Sequence, residues 1–367
     1  MKVGIYTIHR ANNFGAMLQA YATQYVINHL GAEAEIVNFY SEGESKKNSY
    51  VRKPSDLKSL IKSIFALVNP KIWKKCELFR DFHDSMPLSK KYASHDELWS
   101  CPPVYDIHLV GSDQVWNVER GLSEKPLFFL DFLKGDERRI SYASSFGSTN
   151  IPSEVTNRIK EYLSNFSAIS VRESSGVEYL KGQCGLSSKQ VLDPTLLMTE
   201  DQWRSLNIGA PLVGGKYIAF YGFDKSENCR RIISTLRKRL NMPIVAVSVS
   251  TTVTSSYEID HFIQAAGPLE FLNLFSNAAF ILTGSFHGTA FAVNFRKDFV
   301  VLRFGKRMTR MESLLDILGL RSRIVSDENE LNSLLDVSPS VDYSKGGVIL
   351  ETERQKSISW LKEALEL

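Results

Sequence analysis

Val3 to Ile8 is a short apolar, β-rich run. Phe14 to Leu30 then carries its apolar side chains at helical spacing and stops at Gly31, and Ala34 to Phe39 returns to strand-like residues. Strand, helix and strand in succession form a βαβ opening, so a parallel sheet is expected. A polar stretch, Ser41 to Tyr50, reads as a surface loop. The pattern then predicts helices over Ser55–Val68, Lys71–Phe82, Ser153–Phe166 and Ser174–Lys181, with strands at Asp106–Val110, Arg139–Ser144, Ala168–Val171 and Gln190–Leu192. A second cycle starts near residue 213. Its strands are Tyr217–Tyr221, Ile244–Val249, Ala279–Leu282 and Phe299–Leu302, and its helices Asn228–Leu240, Leu269–Ser276, Gly288–Asn294 and Met311–Leu318. A long amphipathic helix, Leu350–Leu365, closes the chain.

Two α/β cycles imply two Rossmann-like domains facing across a cleft. We expect an N-terminal domain over 1–200, a C-terminal domain over 201–345, and a final helix over 346–367 that crosses back. The junction falls between Pro194 and Gly214, where Pro211, Gly214 and Gly215 punctuate the chain. A length of 367 residues suits two cores better than one.

Composition narrows the function. The chain is 43% apolar and 23% charged with a net charge of +3, too mild an excess to point to nucleic acid. Cys76, Cys101, Cys184 and Cys229 are scattered, with no Cys-x-x-Cys pair, which argues against a metal site and a disulfide framework. No run approaches the ~20 apolar residues of a spanning helix, and the first run lacks the length of a secretory leader. A cytoplasmic protein is expected. Lys53, Lys58, Lys62, Lys71, Lys74 and Lys75 interleave with apolar residues. That pattern fits a core-facing helix with a solvated side, or a peripheral contact with the inner face of the membrane.

In open α/β sheets, ligands bind beyond the carboxyl ends of the strands. The segments that follow the predicted strands are His9 to Ala16, Gly111 to Asn117, Arg172-Glu173, Thr283 to Gly288, and Arg303 with Lys306, Arg307 and Arg310. Polar and cationic groups therefore gather on one rim, as a cleft for an anion requires. His287 stands at a helix start, where free N–H groups favour an anion, and an imidazole there can hold and release a proton. Arg172 ends an apolar strand. A structural ion pair with Glu173 or another carboxylate and a substrate clamp explain it equally well. Asn12 to Gly15 can be a plain capping turn, and Gly111 to Asn117 a turn with Trp116 in the core. No G-x-G-x-x-G and no Walker loop is present, which weighs against ordinary dinucleotide and NTP binding.

Together these motifs resemble the polysaccharide pyruvyl transferase family. The matching segments are Asn12 to Ala22, Gly111 to Asn117, Ser170 to Glu173, Asp193-Pro194-Thr195 and Thr283 to Thr289, in order over nearly the whole chain. The resemblance implies a GT-B-like fold, with phosphoenolpyruvate as donor substrate and no metal or other cofactor. The acceptor would be a sugar of a capsule or exopolysaccharide, or its lipid-linked precursor. The product would be a pyruvate ketal, with phosphate released. It implies that His287 acts as acid/base and that Arg172 and Arg310, or Arg307 by raw spacing, hold the donor. Gly284, Ser285, Asn13, Gly15, Asp113 and Gln114 would line the substrate site, with Asp113 or Asn13 orienting the acceptor. Familiar members carry an arginine where this chain has Ser285, so one anionic contact is missing or comes from Arg303 or Lys306. Two other functions compete. One is a GT-B glycosyltransferase using a nucleotide sugar, for which Glu270 is the only obvious base- or ribose-side carboxylate. The other is a non-catalytic glycan-binding relative.

Overall fold

The fold is described from a computed structural model, over residues 1–39, 68–118, 127–222, 226–248, 258–303 and 308–367. The expected loop Ser41–Tyr50, nearly all of the expected helix Ser55–Val68, and Lys53, Lys58, Lys62, Lys306 and Arg307 lie outside the described residues.

Among the described residues, twelve strands form two sheets. The first holds β1 (Lys2–Tyr6), β2 (Glu33–Ile36), β3 (Ile107–Val110), β4 (Arg138–Ser144), β5 (Ala168–Val171) and β6 (Lys189–Gln190), in the spatial order β2-β1-β3-β4-β5-β6. The second holds β7 (Ile218–Tyr221), β8 (Ile244–Val247), β9 (His261–Ile263), β10 (Phe280–Thr283), β11 (Asp298–Leu302) and β12 (Ile324–Val325), in the order β12-β11-β10-β7-β8-β9. All pairings are parallel. The central strands are buried along their whole length. This follows from helices covering both faces, and it explains why they read as apolar runs rather than alternating ones. The edge strands β9 and β12 span three and two residues, too few to show a period.

Each sheet has one place where its strand order reverses, between β1 and β3 in the first and between β7 and β10 in the second. A reversal sends the adjoining helices to opposite faces and leaves a crevice at the strand ends. The helix Phe14–His29 leaves the first crevice and is buried nearly all round. Its first ring packs on Phe271 of the second half at 5.0 Å between centroids and on Tyr221 at 5.7 Å. The two halves thus share one core, and their crevices meet.

The closing helix starts at Tyr343, earlier than the predicted Leu350. Asp342 caps it, and Gly346-Gly347 within its first turns mask the helical pattern in sequence. At one end the Tyr343 hydroxyl donates to the Lys297 carbonyl of the second half at 2.7 Å. Further along, Arg354 Nε donates to the Leu196 carbonyl at 2.7 Å, and Leu192 N–H donates to Ser357 Oγ at 3.0 Å. At the far end Arg138 Nη2 reaches the Ala364 carbonyl at 2.9 Å. The helix therefore crosses back and ties the C-terminal sheet to the N-terminal one.

Candidate active site

β7 and β10 set the second crevice. Thr283 Oγ1 donates to the Tyr221 carbonyl at 2.7 Å and accepts from Ser285 N–H at 3.1 Å, which fixes the turn out of β10. The helix Phe286–Asn294 starts at once, two residues before the predicted Gly288. His287 therefore sits in its first turn, buried. The imidazole fits because Gly15 has no side chain: a Cβ there would lie 2.0 Å from His287 Nδ1. The starts of two helices, one from each half, meet at this ring.

The first half supplies the charged groups. A buried amide on the Phe14–His29 helix braces the loop after β3. Gln19 Oε1 accepts from Ser112 N–H at 3.1 Å, and its Nε2 donates to Thr7 Oγ1 at 2.9 Å. The next residue, Asp113, has φ of 66°, a left-handed conformation that aspartate tolerates better than most residues. Its carboxylate faces Arg172 at the end of β5, with Nη2 to Oδ1 at 3.4 Å. Arg172 Nη1 donates to Asp193 Oδ2 at 2.7 Å, and Ser112 Oγ donates to the same oxygen at 3.1 Å. Asp193 Oδ2 lies 3.9 Å from His287 Nε2, an atom that is buried without a hydrogen bond. Arg172 is itself buried, with Nε unsatisfied.

Arg310, at the start of the helix Thr309–Ile317, completes the cluster. The Gln114 amide oxygen, turned toward it, accepts from Nη1 and Nη2 at 2.7 and 2.6 Å. Arg172 and Arg310 both lie over the Phe286 ring, at 4.3 Å and 5.8 Å from its centroid. An aromatic face attracts each cation, so the ring lets both occupy a small space. Ser285 hydrogen-bonds the Tyr221 phenol.

Electrostatics follow from this packing. Burial pushes the Asp113 carboxyl up, but Arg172, His287 and Arg310 outweigh it and hold the group at about 2. Burial likewise raises Asp193, and Arg172 and His287 bring it below its ordinary value. Arg172 loses to burial and gains more from Asp193 and Asp113, ending raised. His287 is lowered, chiefly by burial, with Arg172 and Arg310 adding to that and the two carboxylates opposing it. The imidazole is therefore neutral near pH 7 and the two aspartates are charged.

The structure brings His287, Arg172, Arg310, Gly15, Asp113, Gln114, Gly284 and Ser285 to one place. Asn13 serves the neighbouring helix as its cap, accepting from Ala16 N–H at 3.2 Å. Arg172 is ion-paired, with Asp193 and Asp113 rather than Glu173. The Glu173 carboxylate instead accepts from Ser145 Oγ at 2.8 Å. Arg303 is ion-paired with Glu312 at 2.7 Å. Glu270 caps its own helix, accepting from Gly267 N–H at 2.9 Å. Sequence reasoning missed Asp193, Ser112, Phe286 and Tyr221 as members of the site. Ser112 and Phe286 lie within the strand-following segments Gly111–Asn117 and Thr283–Gly288, and Asp193 in Asp193-Pro194-Thr195 at a strand end.

Among the described residues no cluster of three or more His, Cys, Asp or Glu side chains is placed to hold a metal ion. No helix among them is long and apolar enough to cross a membrane.

Solved structures with a similar fold span nearly the whole chain. UDP-N-acetylglucosamine 2-epimerase from Rickettsia bellii aligns with TM-score 0.54 at 12% identity, over 100% of this chain and 96% of that one. The Neisseria meningitidis enzyme, solved with UDP-GlcNAc, gives 0.54 at 14% identity, over 99% of this chain and 100% of that one. The Methanocaldococcus jannaschii enzyme, solved with UDP-GlcNAc and UDP, gives 0.53 at 14%, over 96% and 99%. These likenesses establish a GT-B-like fold. A comparison with curated protein sequences finds no match. The profile of one family matches residues 13–304, from the start of the first long helix to just beyond β11, and includes His287, Arg172, Asp113 and Gln114. The chain belongs to the polysaccharide pyruvyl transferase family.

Proposed function

We propose that this protein transfers pyruvate from phosphoenolpyruvate to two hydroxyls of an acceptor sugar, forming a ketal and releasing phosphate. The observation that carries the reading is the convergence of one imidazole and two guanidinium groups where the crevices of two sheets meet. Phosphoenolpyruvate has a phosphate and a carboxylate. Guanidinium groups and helix starts recognise both.

Arg310 donates to the neutral Gln114 amide oxygen and stands beside Phe286 in the cluster. It takes the donor phosphate. Arg172 Nη2 meets Asp113 only at 3.4 Å, so this nitrogen is the one for which the donor carboxylate competes. A dianion beside the neutral His287 draws a proton onto the ring. The imidazolium then protonates the enol carbon C3, and C2 becomes electrophilic. A sugar hydroxyl adds to C2 and returns its proton to the imidazole. The second hydroxyl displaces phosphate, its proton leaving with the phosphate. Arg310 stabilises the charge that grows on the departing group. The acceptor is a sugar of a surface glycan or its lipid-linked precursor, met in the cytoplasm at the inner membrane face, and Asp113 orients it.

His287→Ala is expected to cut phosphate release by roughly 10²–10⁴-fold, the usual worth of a positioned acid/base, while the circular dichroism spectrum and unfolding midpoint stay near wild type. Turnover within a few fold of wild type would remove the imidazole from the chemistry.

A further inference from the structure

The Asp193 carboxylate has its two oxygens doing different work. Oδ1 is held locally by Thr195 N–H at 3.0 Å and Thr195 Oγ1 at 2.7 Å, as the cap of the helix Pro194–Leu197. This clasp fixes the plane of the carboxylate and leaves Oδ2 turned into the site. There Oδ2 accepts from Arg172 Nη1 at 2.7 Å and Ser112 Oγ at 3.1 Å. The next polar atom it faces is His287 Nε2 at 3.9 Å.

That nitrogen belongs to the other half of the molecule. It is buried, and it has no hydrogen-bond partner. The opposite ring nitrogen, Nδ1, lies against Gly15 at the start of the Phe14–His29 helix. An approach of about 1 Å would bring Nε2 and Oδ2 to ordinary hydrogen-bond distance. The groups whose charge reaches the ring come from four separate segments: Asp193, Asp113, Arg172 and Arg310. Asp193 heads the carboxylates that favour a protonated ring, and the two guanidinium groups oppose them.

We propose that Asp193 is the positioning residue of the reaction: its Oδ2 holds the Nε2–H of His287, and the proton passed to and from substrate travels through Nδ1. The proposal rests on the reading of His287 as the proton donor to an enol. In the forward step the Nδ1–H bond breaks and the C3–H bond forms from the enol π pair. The ring becomes neutral with Nε2–H still directed at Asp193. The attacking hydroxyl then restores the proton to Nδ1. Asp193 keeps its charge throughout. The same oxygen anchors Arg172, so one carboxylate sets the acid and the neighbouring cation in register across the junction of the two halves.

The test is nitrogen NMR of protein labelled with ¹⁵N-histidine, without substrate, with the His287 signals assigned by their loss in His287→Ala. Wild type is expected to show the neutral Nε2–H tautomer. In Asp193→Asn the tautomer ratio should shift toward Nδ1–H and the ring pKa should fall by about one unit or more. The alkaline limb of the kcat profile should move down by the same amount, with kcat lowered more than tenfold. A merely structural aspartate would lower activity at every pH without moving the limb or the tautomer. If Asp193→Asn fails to fold, Thr195→Val, which loosens the clasp and keeps the charge, should show the same tautomer shift in smaller degree. A wild-type ring carrying its proton on Nδ1, or a tautomer and pKa unmoved in the folded variant, would overturn the assignment. The spectrum needs no donor. A tautomer shift without phosphate release from phosphoenolpyruvate would therefore sustain the Asp193 contact and count against the donor alone.

Discussion

Asp113 and His287 are both lowered in the folded chain, so each favours the fold less as pH falls through its ordinary range. The carboxyl of Asp113 is held at about 2 in the folded chain, with burial opposing and Arg172, His287 and Arg310 prevailing. Its folded value lies below the unfolded one, so its contribution is complete above about pH 4 and drains away as pH falls toward 2. Asp113→Asn should therefore be less stable than wild type at neutral pH and lose less stability between pH 4 and 2. Unfolding midpoints measured across that range check this, and parallel curves would contradict it. Gly15 offers a steric test of the same cluster. A methyl group there would sit 2.0 Å from His287 Nδ1, so the ring must move. Gly15→Ala should cut turnover at least tenfold and cost about 1–3 kcal/mol of stability through overpacking. Activity assays beside a melting curve separate the two effects.

At the scale of elements, the helix starts do most to place the site. Asn13 accepts from Ala16 N–H and caps the Phe14–His29 helix. Asn13→Ala should cost about 1 kcal/mol of stability and leave the affinity for phosphoenolpyruvate within about twofold. Denaturant melts and calorimetry read these separately, and a tenfold loss of affinity would return Asn13 to the binding surface. The central strands are legible in the sequence because they are buried along their whole length and so appear as compact apolar runs. Helix starts were harder. The Phe286–Asn294 helix begins before the glycine at which the pattern placed it, because the turn out of β10 is fixed by Thr283, far from any apolar period. His287 and Arg172 were found by their positions after strands. Asp193 was not, because in sequence it stood only at the end of a short strand. It caps the next helix through Oδ1, and only the fold reveals that Oδ2 gathers Ser112, Arg172 and His287 from three distant segments.

The whole molecule is two parallel sheets whose order reversals face each other, closed by a helix that starts on one half and ends on the other. That architecture is shared with epimerases solved in complex with nucleotide sugars. Where the two halves meet, two guanidinium groups lie over a phenyl ring beside an imidazole, and Glu270 caps its own helix. The most direct measurement is isothermal titration of the wild-type protein with phosphoenolpyruvate and, separately, with UDP-N-acetylglucosamine. We expect saturable heat with phosphoenolpyruvate, weakened at least tenfold by Arg310→Ala, and none with the nucleotide sugar. Saturable binding of UDP-N-acetylglucosamine with no heat from phosphoenolpyruvate would contradict the proposal.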